Sequence, residues 1–234
     1  MMPPMAGETE ILTDVAFAPD AAGLRERLHL SSDGDAARLA ELVDQARAVA
    51  RPKAACKVAF VESRDDGGVV IDGIRFDSRV LRVNLARANR VFAYVATCGV
   101  ELEEWSGSVA DPFEHYWADA IKEGALGDAL RAVNAHVDRR YRPGPTSSMN
   151  PGSLPDWPME QQRPLFELLG DPTAAVGVQL TDSFLMVPNK SISGLRFPTE
   201  VGFESCQLCP REICPGRRAP YDKDLYGRRF AAKP

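Results

Sequence analysis

The stretch from residue 180 to residue 194 reads Leu-Thr-Asp-Ser-Phe-Leu-Met-Val-Pro-Asn-Lys-Ser-Ile-Ser-Gly. The residue pattern from Val178 to Pro188 predicts a strand, a turn and a second strand. Within it, Phe184 to Met186 are interpreted as core residues rather than site residues. Asn189 to Gly194 is interpreted as a turn, in which Gly194 provides the backbone geometry.

A Pro/Gly-rich loop and a helix precede this stretch. Residues 142–158 are predicted to be loop, because four prolines precede Pro158 and two glycines lie among them. Long loops inside a domain are usually functional or disordered. A helix is predicted from Pro158 to Leu169, with Gly170 at its end and Pro164 kinking or restarting it.

Four short motifs follow one another here in the order of a known family. They are Pro151-Gly152, Leu168-Leu169, the segment Leu180 to Pro188, and Ser191-Ile192-Ser193-Gly194. On these residues the chain resembles the activation domain of cobalamin (vitamin B12)-dependent methionine synthase. The resemblance does not extend to the cysteines near the C-terminus. It implies an α+β fold with a mixed or antiparallel sheet and flanking helices.

The resemblance also implies a function. In that family the activation domain supports reductive methylation: cobalamin in the inactive Co(II) state takes up one electron and the methyl group of S-adenosylmethionine. The chain is then expected to be a free-standing relative that serves a separate corrinoid-dependent methyltransferase or corrinoid protein, such as methionine synthase. The cobalamin would be presented by that partner, and an electron donor protein is a possible second partner.

Candidate binding residues follow from the same resemblance. The family loop binds S-adenosylmethionine through its backbone, with an Arg four residues before the Gly and a Tyr just after it. Ser148 and Ser153 stand at those two positions here, and Arg140 and Arg142 are the candidate substitutes. The expected contacts to S-adenosylmethionine or the corrinoid are Asn150, Pro151, Gly152, Ser153, Asp156 and Trp157.

Two of these expectations leave alternatives open. Trp157 either packs inside the protein or stacks on an adenine or corrin ring. Asn189, Ser191, Ser193 and Gly194 either serve turn geometry or form a wall that faces the corrinoid.

Three cysteines lie close together near the C-terminus, at Cys206, Cys209 and Cys214. This clustering in a cytosolic protein indicates metal or redox chemistry before disulfides. An iron–sulfur cluster, which could itself supply the electron, is the preferred interpretation. Structural zinc and unliganded thiols are the alternatives, and zinc is disfavoured because no His lies nearby. Cys98 is the candidate fourth ligand, with Cys56, solvent, substrate or a non-cysteine group as alternatives.

Composition excludes several classes of function. The chain has 234 residues and a formal net charge of −5, which gives no electrostatic case for nucleic acid binding. We expect no signal peptide and no membrane helix, and therefore a cytoplasmic protein. The predicted parts are a disordered start (1–10), an α+β domain (11–204) and a basic, cysteine-rich C-terminal segment (205–234) packed on it.

The remaining elements are predicted from periodicity and capping. Helices are expected at 33–51, 77–88, 100–105 and 111–141, and strands at 10–17, 54–62, 69–76 and 91–97. Asp111 is the predicted N-cap of the longest helix, with Pro112 at its first position and Glu114 completing a capping box. His115 and His136 are interpreted as structural or exposed.

Two other functions remain open at this point. The chain is alternatively a docking or chaperone subunit for a corrinoid protein, stabilised by zinc and without catalysis. A third possibility keeps the fold and gives it another small ligand, because the family's Arg and Tyr are replaced.

Overall fold

An antiparallel sheet lies at the centre of the computed structural model, which describes residues 7–214 and 216–231. Seven strands form this sheet in the described residues, in the order β4-β3-β2-β5-β9-β6, with β1 beside the first part of β2. The strands are β1 (Glu10–Leu12), β2 (Lys53–Arg64), β3 (Gly68–Ile71), β4 (Ile74–Asp77), β5 (Arg90–Thr97), β6 (Thr146–Met149) and β9 (Ser191–Pro198). A separate hairpin pairs β7 (Gln179–Leu180) with β8 (Met186–Val187).

Helices cover both faces of the sheet. They are α1 (Ala21–Arg27), α2 (Asp33–Val49), α3 (Arg79–Asn84), α4 (Val100–Gly107), α5 (Pro112–Tyr141), α6 (Gln162–Leu169) and α7 (Pro172–Val176). Short 3-10 turns span Met159–Gln161 and Ser205–Leu208, and a π-helical turn spans Tyr226–Phe230. The predicted α+β fold with an antiparallel sheet and flanking helices is confirmed. None of the helices in the described residues is both long and apolar enough to span a membrane.

Strand alternation divides the core between the two faces. Val91, Ala93 and Val95 of β5 point into one cluster, with residues of α3, α6 and α7. Phe92 and Tyr94 point to the other face, where α5 packs. Successive side chains of a strand face opposite sides, so one strand serves both clusters. A third cluster lies among α1, α2, α4 and the first half of α5.

The start of the longest helix, α5, is fixed by local capping chemistry. The Asp111 carboxylate accepts hydrogen bonds from the backbone N–H groups of Phe113 and Glu114, and Pro112 occupies the first turn. The predicted capping box is wrong, because the Glu114 carboxylate instead accepts two hydrogen bonds from Arg38, at 2.7 and 2.9 Å. Tertiary pairing with α2 outcompetes the local bond.

Several predicted boundaries change. The predicted strand 69–76 is a hairpin of β3 and β4, because Asp72 and Gly73 both have positive φ (45° and 78°) and form a tight turn. The predicted helix at 77–88 is shorter, since Ser78 caps it and α3 ends at Asn84. The first strand ends at Leu12 rather than at residue 17.

Two segments that were predicted to be irregular are strands in the structure, because they pair with distant parts of the chain. The predicted loop 142–158 contains β6, and the predicted turn at Asn189–Gly194 becomes strand β9 from Ser191 onward. These two strands pair with each other, Met149 opposite Leu195. Of the three predicted core residues, Leu185 is instead 57% exposed.

The structure describes only part of the two end segments of the predicted domain division, residues 1–10 and 205–234. Glu10, placed in the predicted disordered start, lies in β1, and residues 1–6 fall outside the described residues. Pro215 and residues 232–234 of the C-terminal segment also lie outside them. Phe230 of this segment is fully buried in the same cluster as the sheet residues Val91 and Leu195.

Candidate functional site

The loop after β6, residues 150–158, turns back on itself through backbone hydrogen bonds. The N–H of Gly152 donates to the carbonyl of Trp157 at 2.7 Å, and the N–H of Trp157 donates to the carbonyl of Leu154 at 3.0 Å. The Asn150 side chain donates to the Tyr94 hydroxyl at 2.8 Å and to the Ser193 carbonyl at 2.7 Å. The loop is therefore fixed to two strands of the sheet at its first residue.

Gly152 is required by the shape of this loop. Its φ is 83°, and a Cβ there would lie 2.1 Å from the sulfur of Met159. Pro151 is buried, whereas Gly152 and Ser153 are exposed. The exposed edge of the loop thus offers backbone rather than large side chains to a ligand.

Asp156 and Trp157 hold the loop in place. The Oδ2 atom of Asp156 accepts hydrogen bonds from the Ser78 hydroxyl and, at 2.9 Å, from the backbone N–H of Val80 at the start of α3. The ring of Trp157 is fully buried and meets Phe76 edge to face at 6.3 Å. Its Nε1 has no hydrogen-bond partner in the described residues. The stacking expectation for Trp157 is wrong in this structure, because its ring lies in the core.

Neither candidate substitute arginine forms a hydrogen bond or ion pair with the loop in the described residues. The guanidinium of Arg140 pairs with Glu10 of β1 at 3.0 Å. Glu10 of β1 pairs with Cys56 of β2, Cys56 pairs with Tyr94 of β5, and Tyr94 pairs with Gly194 of β9. Strand β6, which leads into the loop, lies on the other side of β9, so β1 is at the opposite edge of this part of the sheet. Four strand spacings separate that edge from the loop, roughly 19 Å. Arg142 is the exposed C-cap of α5, in the left-handed conformation.

The segment 189–194 is built into a polar network. The Ser193 hydroxyl donates to Oε1 of Gln162 at 2.5 Å, and the Ser191 hydroxyl donates to that of Thr97 at 2.8 Å. Ser193 and Gly194 are buried and therefore form no outer wall in this structure. Asn189 is exposed, and its Oδ1 accepts a hydrogen bond from the buried ammonium of Lys122 at 3.2 Å.

The predicted metal ligands are not gathered together. Across residues 7–214 and 216–231, no three or more Cys, His, Asp and Glu side chains are grouped as a metal site requires. Cys98 is fully buried among residues of α2, α4 and α5, where burial raises the pKa of its thiol to about 12. It is therefore not the fourth ligand of a set around Cys206 in this structure. Cys56 is also buried, on the α5 face of the sheet.

A guanidinium organises the cysteine-bearing loop. Arg217 donates to the carbonyl oxygens of Cys206 at 3.1 Å and Cys209 at 3.3 Å, and also to that of Arg211. The backbone N–H of Arg218 lies 3.4 Å from the sulfur of Cys206. Hydrogen bonds from the Arg217 guanidinium thus hold the loop, and its cysteines are not grouped as metal ligands in the part of the chain that the structure describes.

A cavity of about 440 Å³ lies where the 150–158 loop meets the C-terminal segment. Leu154, Pro155 and Asp156 of the loop and Val80 of α3 line one side. The other side consists of residues from the C-terminal segment: Leu208, Tyr221, Asp222, Lys223 and Tyr226. Sequence reasoning missed the tyrosines and Lys223 as site residues. The sequence hint for a site here was two aromatic residues in a polar, irregular segment. No local sequence pattern indicates which part of the protein their rings face.

Helix α3 brings the loop and the C-terminal segment together. Asp156 binds the first turn of α3, as described above. Arg79 of α3 donates to the carbonyl oxygens of Phe230 and, at 3.0 Å, Ala231. Arg229 donates to Oδ1 of Asn84 at 3.0 Å. A helix of six residues therefore positions both walls of the cavity.

No protein-family model matches the chain, and no curated protein matches it. Among solved structures, it is similar to a crystal structure of the MetH reactivation domain bound to AdoHcy. The TM-score is 0.57 at 16% sequence identity, over 88% of this chain and 84% of that one. The chain therefore shares the fold of the MetH reactivation domain.

Proposed function

We propose that this protein reactivates a cobalamin-dependent methyltransferase, such as methionine synthase, and binds S-adenosylmethionine in doing so. The shared fold supports the proposal, because the similar structure contains AdoHcy, the form S-adenosylmethionine takes after losing its methyl group. The corrinoid would be held by the partner protein and offered to this chain as a substrate.

The observation that carries the proposal is that three segments of the resemblance form one contact network: the Pro-Gly loop, the helix that ends in Leu168-Leu169, and the strand with Ser191 to Gly194. Asn150 of the Pro-Gly loop donates to the carbonyl of Ser193, and the hydroxyl of Ser193 donates to Gln162 at the start of α6. Loop, helix and strand are thus held as one unit. Such fixed geometry suits a site that positions two reactants against each other.

The proposed reaction requires one electron and one methyl group. The partner's Co(II) cobalamin takes up an electron from a low-potential donor protein and the methyl cation of S-adenosylmethionine, and S-adenosylhomocysteine leaves. We assign to this chain the binding and orientation of S-adenosylmethionine. The exposed backbone at Gly152 and Ser153 and the neighbouring cavity are the proposed contacts.

The electron is assigned to a donor protein because the cysteines do not form a metal site in the described residues. The iron–sulfur cluster predicted from their spacing remains a prediction, as does structural zinc. Anaerobic purification followed by metal analysis and a visible spectrum tests both. Iron and sulfide, with a visible band that bleaches on reduction, would restore the cluster as the electron source. Stoichiometric zinc would support the docking subunit instead.

Calorimetric titration with S-adenosylhomocysteine and then S-adenosylmethionine is the first functional test. The second is reactivation of a corrinoid methyltransferase that lacks an activation domain of its own, loaded with cob(II)alamin and supplied with a one-electron donor. We expect methylcobalamin to form only when this chain and S-adenosylmethionine are both present. Binding of the corrinoid protein without binding of either nucleoside would reject catalysis and favour the docking alternative.

A further inference from the structure

We propose that the C-terminal segment supplies the aromatic and cationic contacts to S-adenosylmethionine, through Tyr221, Tyr226 and Lys223. This inference rests on the proposed function and names residues for the same site. Ser148 and Ser153 stand where the resembled family has Arg and Tyr, and neither serine offers a charge or a ring. A ligand with an adenine ring and an amino acid carboxylate needs both kinds of contact from elsewhere in the chain.

The cavity between the 150–158 loop and the C-terminal segment offers these contacts. Tyr221 and Tyr226 are 48% and 43% exposed, so their rings are only partly used in packing. Leu154 and Pro155 lie across the cavity from them. Pockets of this size, mainly apolar with few polar groups, are typical of small-molecule sites. A flat heteroaromatic ring can stack on a tyrosine there, and a sulfonium can lie over a ring face.

The charged side chains that line the cavity differ in the ion pairs and hydrogen bonds they form within the protein. Asp222 is neutralised by Arg228, whose guanidinium lies 2.6 Å from its carboxylate and holds the pKa of that carboxyl below its usual value. Lys223 is exposed and forms no ion pair within the described residues. Its ammonium is therefore free to bind a carboxylate. Asp156 uses Oδ2 for α3, and its Oδ1 has no hydrogen bond in the described part of the chain.

These assignments match the parts of the ligand. S-adenosylmethionine carries a carboxylate for Lys223, an ammonium for Oδ1 of Asp156, and an adenine and a sulfonium for the tyrosine rings. Contacts within the protein hold the segment: the N–H of Asp222 donates to the carbonyl of Gln207 at 2.9 Å, and Phe230 is anchored in the core. Preformed contacts of this kind reduce the entropy lost on binding.

The test compares two ligands by calorimetry. S-adenosylhomocysteine has the amino acid part, whereas 5′-methylthioadenosine lacks it. We expect Tyr221→Ala and Tyr226→Ala to weaken binding of both ligands about tenfold, because both ligands carry the adenine ring that stacks on a tyrosine. Lys223→Ala should weaken S-adenosylhomocysteine about fivefold and leave 5′-methylthioadenosine unchanged. Tyr221→Phe keeps the ring and should bind like the wild type.

Tyr116→Ala is the matched control, because Tyr116 is 64% exposed and lines a different cavity, between α2 and the start of α5. Circular dichroism verifies that every variant folds. Wild-type binding with unchanged affinity in the Tyr221, Tyr226 and Lys223 variants would overturn this inference and leave the proposed function standing. A wild type that binds neither ligand would overturn S-adenosylmethionine binding itself.

Discussion

At the scale of single residues, Gly194 shows how little space the central contact network leaves. A Cβ at this position would lie 2.5 Å from both the Met149 carbonyl oxygen and Nδ2 of Asn150, and 2.9 Å from the Tyr94 hydroxyl. The φ angle of Gly194 is not positive, so a larger side chain is excluded by lack of space and not by backbone conformation. The glycine lets β9 pass close enough for Asn150 to bind the Ser193 carbonyl.

Gly194→Ala is therefore expected to destabilise the protein by about 1–3 kcal/mol, because backbone must move to admit the methyl group. The urea midpoint of unfolding measures this. Gly124→Ala is the control: Gly124 lies in α5 with nothing within 4 Å of an added Cβ. Alanine there should stabilise the helix by about 1 kcal/mol. Equal midpoints for the two variants would contradict the close approach.

The five cysteines are expected to differ in reactivity, since only a thiolate attacks an alkylating reagent. Burial raises the pKa of both Cys56 and Cys98 to about 12, so they stay protonated at pH 8. Cys206, Cys209 and Cys214 are partly exposed. Iodoacetamide at pH 8 should therefore label these three in the native protein and all five after denaturation, as read by mass spectrometry.

The same labelling reports on a bound metal. If a metal occupied the three cysteines of the C-terminal segment, they would stay unlabelled until a chelator removed it. Early labelling of Cys98 would show that the end of β5 opens in solution, which the structure does not predict.

At the scale of elements, Phe230 anchors the C-terminal segment in the core. The ring of Phe230 is fully buried, meets Phe203 edge to face at 5.6 Å, and has the guanidinium of Arg229 5.2 Å from its centre. Most of the segment between Cys209 and Tyr221 lacks helix or strand, so its position follows from this anchor and from the hydrogen bonds of Arg217.

Phe230→Ala should release the segment, because removing a buried phenylalanine costs about 3–5 kcal/mol. We expect trypsin to cleave the variant at Arg211, Arg217 or Arg218 faster than the wild type, as followed by mass spectrometry. Val201→Ala is the control, since Val201 lies just before the segment and is 63% exposed. Unchanged cleavage in Phe230→Ala would mean that the backbone hydrogen bonds hold the segment alone.

At the scale of the whole molecule, the sheet order decides which residues meet. Strand β9 comes last in the chain and lies between β5 and β6. Tyr94, Asn150 and Ser193 are far apart in sequence and become neighbours only through these pairings. The same order places Glu10 and Arg140 at the opposite edge, which removes Arg140 from the candidate site.

The sequence by itself determined the features that local chemistry controls. The start of α5 follows from the Asp111 cap and Pro112. The turn that joins β2 to β3 at residues 65–68 is likewise local, because the Asp65 carboxylate accepts hydrogen bonds from the backbone N–H groups of Gly67 and Gly68. The α+β class and the likeness of fold followed from short motifs in the right order, because those motifs specify neighbouring segments of one core.

Only the tertiary structure decided the rest, because long-range contacts outweigh local preference. Trp157 is buried against Phe76, and segment 191–194 is a strand because β5 pairs with it. Tyr221, Lys223 and Tyr226 reach the 150–158 loop through α3, whose contacts join residues far apart in the sequence. No local pattern encodes such a meeting, which depends on how the whole chain packs.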